Sequence, residues 1–185
     1  MQKFIIILLL GLLGSVQSHA QDTAPSPLRW GLEAELVQPF LPTIGILHLL
    51  ATRQVTHDDS KLHGDALVGM YIRPNVAHDV VEKINEYMLV LGYRQYLWKG
   101  LHVEVRANAG YAWGTRNLID GKDYETPTLF WEANLGYRFQ LTPGARRLYL
   151  APQVGALGNI VGDIGPRGGK PDNFFNANLA LGINF

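Results

Sequence analysis

Apolar and polar residues alternate along most of this chain. From Phe175 onward every odd position is apolar (Phe175, Ala177, Leu179, Leu181, Ile183, Phe185), while Asn176, Asn178, Ala180, Gly182 and Asn184 are small or carry amides. A period of two with one oily face is the signature of a β-strand. The same alternation predicts strands over Leu28–Val37, Thr43–Val55, Gly64–Arg73, Asn85–Leu97, Leu101–Gly114, Thr128–Leu141, Leu148–Gly158 and Asn173–Phe185. Each is near or slightly above the roughly 9–11 residues of a tilted membrane strand. In the second, Ile44-Gly45-Ile46-Leu47-His48-Leu49-Leu50 alternates poorly, so a bulge or a displaced boundary is expected there.

The connections alternate in length. Trp98-Lys99-Gly100 and Thr142–Arg147 are short, Thr56–His63 is intermediate, and Pro74–Ile84, Thr115–Pro127 and Asn159–Asp172 are longer. Only Gln38–Pro42 breaks the rule. Short inner turns and long outer loops belong to membrane barrels. Aromatic residues sort by depth on the expected outward faces. Trp30, Tyr93, Tyr137, Phe139 and Phe185 mark one end, Tyr87, Tyr111, Trp113, Trp131 and Phe175 the other, with aliphatic residues between. Such belts sit at membrane–water interfaces. The predicted fold is an all-β, eight-stranded antiparallel up-and-down transmembrane β-barrel.

The opposite faces then line the interior. They carry Arg29, Arg73, Arg94, Arg106 and Arg138 against Glu33, Glu35, Asp65, Glu86, Glu104 and Glu132, with His102, Asn108, Asn134, Gln140 and Gln153 among them. A barrel of eight strands is filled by its own side chains. These charges are therefore expected to form a salt-bridge network, with arginine as the cation suited to multidentate buried pairing.

Both termini add to this picture. Lys3, the apolar run Phe4–Leu13 and Ser18-His19-Ala20 read as a signal peptide over residues 1–20, because the apolar run is too short to span a bilayer. The chain after the signal, about 165 residues, reads as a single domain, with residues 21–27 a short Pro-containing lead-in and 28–185 the barrel. With no cysteine, a lipoprotein anchor, a disulfide framework and thiolate metal sites are excluded. A formal net charge of zero argues against nucleic acid as a partner.

Candidate chemistry is sparse. Only Ser26 and Ser60 follow the signal, and neither belongs to the outer rim where a membrane hydrolase would place its nucleophile. His78, Asp79 and Glu82 share one outer connection, where a short helix over Asp79–Ile84 is expected and ordinary capping explains the residues. His57, Asp58, Asp59 and His63 match no standard ligand spacing, and Asp120, Asp123 and Glu125 lack the calcium-loop pattern. Gly162–Asp172 has neither the lysine-serine/threonine pair nor the helix of a phosphate loop. No catalytic residue, metal site or cofactor is expected.

The final amphipathic strand closed by Phe185 resembles the assembly signal of Gram-negative outer-membrane barrels. With Trp30-Gly31-Leu32-Glu33, Gly92-Tyr93-Arg94-Gln95-Tyr96 and Asp163-Ile164-Gly165-Pro166-Arg167, nearly the whole mature chain resembles small barrels of the OmpA membrane-domain and OmpX kind, including an uncharacterised family from Bacteroidetes-type bacteria. The resemblance implies an outer-membrane location and three partners: membrane lipid, lipopolysaccharide and the barrel assembly machinery. It implies a monomer that is not an enzyme and whose role is structural or loop-presenting, through adhesion or ligand contact. The alternative is an outer-membrane enzyme or small-solute conduit that uses lumen or rim charges.

Overall fold

The computed structural model describes residues 29–41, 44–55, 63–143, 147–162 and 173–185. The signal, the lead-in and Leu28 lie outside them, as do Ser60, His57, Asp58, Asp59 and most of the glycine-rich stretch before Asn173. The elements are β1 (Trp30–Glu35), a 3-10 turn (Gln38–Phe40), β2 (Leu47–Gln54), β3 (Gly64–Val76), β4 (Val81–Trp98), β5 (Leu101–Asn117), β6 (Tyr124–Tyr137), β7 (Phe139–Gln140), β8 (Arg147–Val161) and β9 (Asn173–Asn184).

Each strand pairs antiparallel with its sequence neighbour, β9 returns to β1, and β6 and β7 both pair β8, so the sheet closes into eight staves. Closure is staggered. From Leu32 the Cα partners run through Ala51, Val68, Leu91, Ala107, Trp131 and Gly158 to Asn173, whereas Leu32 pairs directly with Ile183. One circuit therefore advances 183 − 173, or ten residues along β9. Stagger of this kind forces the strands to tilt by about 35–45°.

Pro152 splits one stave into β6 and β7. It pairs with Leu179, whose amide and carbonyl turn away toward β1 and meet the Glu35 carboxylate and the Leu36 amide. At Pro152 the ladder positions of β8 therefore face β6, and proline has no N–H to give. Pairing lapses between Gly136–Gln153 and Phe139–Leu150.

The poorly alternating stretch in the second segment is a displaced boundary. The Ile44 and Gly45 amides both donate to the Leu41 carbonyl, Gly45 takes φ 55°, and β2 starts at Leu47. Two connections expected to be long loops are mostly strand. β4 and β5 run 18 and 17 residues, leaving only 77–80 and 118–123 as turns. The expected helix over Asp79–Ile84 does not form, because Val81 opens β4 and Val76, Val81 and Ile84 bury one another. Asn117 secures the other turn, since its side chain accepts from the Ile119 amide at 2.9 Å and its own amide donates to Lys122 at 2.7 Å. A sheet built from β4, β5 and the start of β6 thus projects beyond the far rim, opposite the chain termini.

Side chains on the outside are apolar and exposed: Leu32, Leu49, Val68, Met70, Leu89, Leu91, Val103, Val105, Leu135 and Val154. At the far end Trp113 packs on Tyr111 at 5.1 Å and Tyr87 at 5.9 Å. Near the termini the Tyr137 and Phe139 rings meet at a tilt with centroids 4.6 Å apart, and Trp30 and Phe185 exchange both backbone hydrogen bonds at the seam of the ring.

Replacing Pro152 with valine supplies the missing donor and should join β6 and β7. Its new amide should become protected in hydrogen exchange. Net stability should move by less than about 1 kcal/mol, since one ladder bond is offset by the loss of proline's restraint on the unfolded chain. Free exchange at position 152 would show that the gap has another cause.

Candidate functional site

Inward positions of β1, β4, β5 and β6 bring acids and arginines to one half of the lumen. Fully buried Arg94 sits at the centre. It grips Glu33 bidentately, Nη1 to Oε1 at 2.5 Å and Nη2 to Oε2 at 2.8 Å, while its Nε donates to Glu104 Oε2 at 2.6 Å. Glu104 in turn pairs with Arg106, which reaches Glu132 at 3.5 Å. Beyond it, Glu132 meets His48 Nε2 at 3.3 Å and accepts from Asn108 at 2.6 Å. On the other side of Glu33, Arg138 lies 3.6 Å away and bonds Asp65 at 3.0 Å.

Cations and anions thus alternate along one continuous chain, Asp65–Arg138–Glu33–Arg94–Glu104–Arg106–Glu132. Neutral groups fill part of its remaining valences, while Arg106 Nε and Arg138 Nε stay buried without a hydrogen-bond partner among the described residues. The Tyr149 hydroxyl donates to Glu33 at 2.6 Å, Tyr96 to Asp65 at 3.0 Å, and Gln153 to Glu104 at 3.2 Å. The Arg138 guanidinium is also sandwiched over Tyr149 at 4.2 Å and Tyr96 at 4.8 Å, where ring faces attract a desolvated cation.

The residues singled out from sequence are placed as follows. Glu33, Arg94, Glu104, Arg106, Glu132 and Arg138 share the chain of ion pairs. Glu35 does not: it is buried higher on β1 and accepts the Leu179 amide at 2.9 Å. Arg29 lies partly buried beside the seam, its carbonyl accepting the Gln54 amide. Phe185 is exposed on the outer wall. Asp65 and Gln153, also read from the sequence as interior, join the network, and Tyr96, Tyr149 and His48 complete it. The parity of His48 on its strand points inward, but that of the tyrosines merges with the aromatic pattern.

An apolar layer lies above the charges. Leu50, Tyr71, Met88 and Val90 pack together, with Ile46 and Phe130 against them. Reading the interior for charge alone passes over these residues, which share the inward parity. Beyond them, Tyr71 donates to Glu86 at 2.9 Å and Arg73 pairs with Glu86 at 3.4 Å. Across one end of the lumen, Gln38 of the 3-10 turn folds inward and donates to Asn176 at 2.7 Å. The interior is thus filled in successive polar and apolar layers.

The rim candidates serve turns. The Val80 amide donates to His78 Nδ1 at 3.2 Å, and burial holds that imidazole below its ordinary pKa. Glu82 pairs with Arg116 at 3.0 Å, and the Asp123 carboxylate accepts the Arg116 amide at 2.7 Å. Asp120 accepts from the Tyr124 hydroxyl at 2.5 Å and the Lys122 amide at 3.1 Å, and the first of these holds its carboxyl below the ordinary value. Among the described residues, no three His, Cys, Asp or Glu side chains gather as metal ligands. No family model, no curated protein and no solved structure matches this chain.

Arg94→Leu should destabilise the barrel by about 3–5 kcal/mol, because it leaves Glu33 and Glu104 buried without their shared cation. Adding Glu33→Gln should recover part of that loss in denaturant unfolding, and a purely additive double variant would mean that the cost is packing alone. Asp120 offers a pH test. Its lowered folded value means that its stabilising contribution is complete above about pH 3.8, the ordinary carboxyl value, and fades as pH falls through the folded value. Carboxyl titration by NMR should find Asp120 below 3.8 and find Tyr124→Phe raising it; an unmoved midpoint would discount the hydroxyl.

Proposed function

We propose that this chain is a transmembrane barrel of a Gram-negative outer membrane, similar to the OmpA membrane domain and OmpX, exported by a cleaved signal peptide. On this reading it is a non-enzymatic monomer with a structural or loop-presenting role in adhesion or ligand contact. Its partners are outer-membrane lipid, lipopolysaccharide and the assembly machinery that receives the Phe185-terminated strand.

The observation that carries this reading is the inversion of polarity. Arg94, Glu104 and Arg106 are buried, while leucines and valines on every side of the ring are exposed. Continuous apolar surface of that kind calls for a covering, and a bilayer covers a closed ring uniformly. Aromatic side chains near both ends of the apolar band suit the two interfaces. The layered interior favours an anchor over a conduit, because ion pairs and the Leu50–Tyr71–Met88–Val90 layer occupy the path a solute would take. The projecting β4–β5–β6 sheet is the part best placed to meet a ligand.

Cell fractionation should recover the protein with the outer membrane. The folded form should run faster than the boiled form on gels, and planar bilayers should record no steady conductance. Recovery as a soluble periplasmic protein would remove the membrane reading, while stable channels of uniform size would favour the conduit.

A further inference from the structure

Arg53 stands apart from every other arginine in the barrel wall. It occupies an outward position near the termini end of β2, opposite Trp30 on β1 and Ala66 on β3. The outward faces of these three strands otherwise carry no charge, with Trp30, Leu32 and Ala34 on β1, Leu47, Leu49 and Ala51 on β2, and Gly64, Ala66, Val68, Met70, Ile72 and Pro74 on β3. Arg53 is the one charge among them. Its guanidinium lies 4.5 Å over the Trp30 ring and, among the described residues, has no carboxylate within ion-pair distance. The stacked ring fixes the plane of the guanidinium and leaves its fork of N–H groups free for an external anion.

The surroundings narrow the choice of anion. Two residues along β2, Ala51 is flanked by Leu32 on β1 and Val68 on β3, both exposed. A methyl between two longer side chains makes a shallow apolar trough that leads from the guanidinium toward the middle of the wall, and Ala34 on β1 keeps the surface low farther along. A fixed cation beside an aromatic ring, at the head of an apolar trough, matches an amphiphile with an anionic head.

We propose that Arg53 and Trp30 form a binding site for the phosphate of a membrane glycerophospholipid, with one acyl chain lying along the Ala51 trough. A phosphodiester offers two oxygens to the guanidinium fork, and free phosphate would gain nothing from the trough. A fatty acid has one chain and a carboxylate, and the test separates it.

The proposal rests on the bilayer reading above. The purified barrel in mild detergent is titrated with phosphatidylglycerol, with diacylglycerol of the same chains, and with oleate, and bound lipid is counted by native mass spectrometry. The wild-type barrel should retain one phosphatidylglycerol and little diacylglycerol. Arg53→Gln should lower retention about fivefold, in line with one basic residue at a membrane surface. Arg53→Lys should restore only part of it, because an ammonium keeps the charge and loses the fork. Trp30→Leu should also weaken retention. Heat-modifiable migration of each variant confirms that it is folded. Equal retention by the wild type and Arg53→Gln, or diacylglycerol held as well as phosphatidylglycerol, would overturn the site, and preferential retention of oleate would overturn the phospholipid assignment. A barrel soluble without detergent would sink the bilayer reading itself. A detergent-requiring, heat-modifiable barrel whose adducts ignore Arg53 would sink this site alone.

Discussion

The shared grip of Arg94 on Glu33 and Glu104 is the contact on which the interior turns. Ring closure sends every second side chain of eight staves into a narrow space, and β1, β4 and β5 deliver charges there. Removing such groups from water costs several kcal/mol per ion, a loss repaid only by close pairing and additional hydrogen bonds. The alternation of acid and arginine meets that demand, and it ties β1, β3, β4, β5 and β6 together through side chains as well as through the wall. Registry across the ring is therefore specified twice, by the backbone ladder and by the ion chain. Slipping one strand by a single residue would turn its charges toward the outside.

Stagger and ion chain depend on one another. A register advance of ten residues per circuit tilts the strands, so residues facing each other across the lumen come from different heights along the sequence. Arg138, near the end of one stave, can then reach Asp65 at the start of β3. Apolar residues take over where the charges end, and Tyr71 joins the two layers by placing its ring among Leu50, Met88 and Val90 and its hydroxyl on Glu86.

Alternation made the eight staves and the inward parity of the charges legible in the sequence, because both follow from the two-residue period alone. Partner choice was not legible. Arg138, between β6 and β7 on the stave neighbouring that of Glu104, pairs instead with Asp65 and Glu33, since tilt and curvature decide which inward side chains meet. Neither was the projecting sheet: Val81 and Ile84 lie beside charged residues that suggest a loop, and only the cluster they form with Val76 reveals strand. Pro152 is visible to any reader, but its effect depends on which neighbour its missing donor faces. The apolar layer was hidden for a simpler reason. Leu50, Met88 and Val90 keep inward parity in strands whose outward positions are equally oily, so hydrophobicity could not separate the two faces.

The seam between Trp30 and Phe185 also decides whether the sheet has open edges. β1 is six residues long and lies at the opposite end of the barrel sequence from β9, its partner. Without β9, β1 and β8 would both be open edges of a curved ribbon, oily on one side and charged on the other. Glu33 would then be held by one neighbouring strand where the ring gives it two. Such a ribbon invites pairing with another chain. β9 therefore does more than complete the wall, because it covers two sticky edges at once and leaves a ring with no edge along the seam.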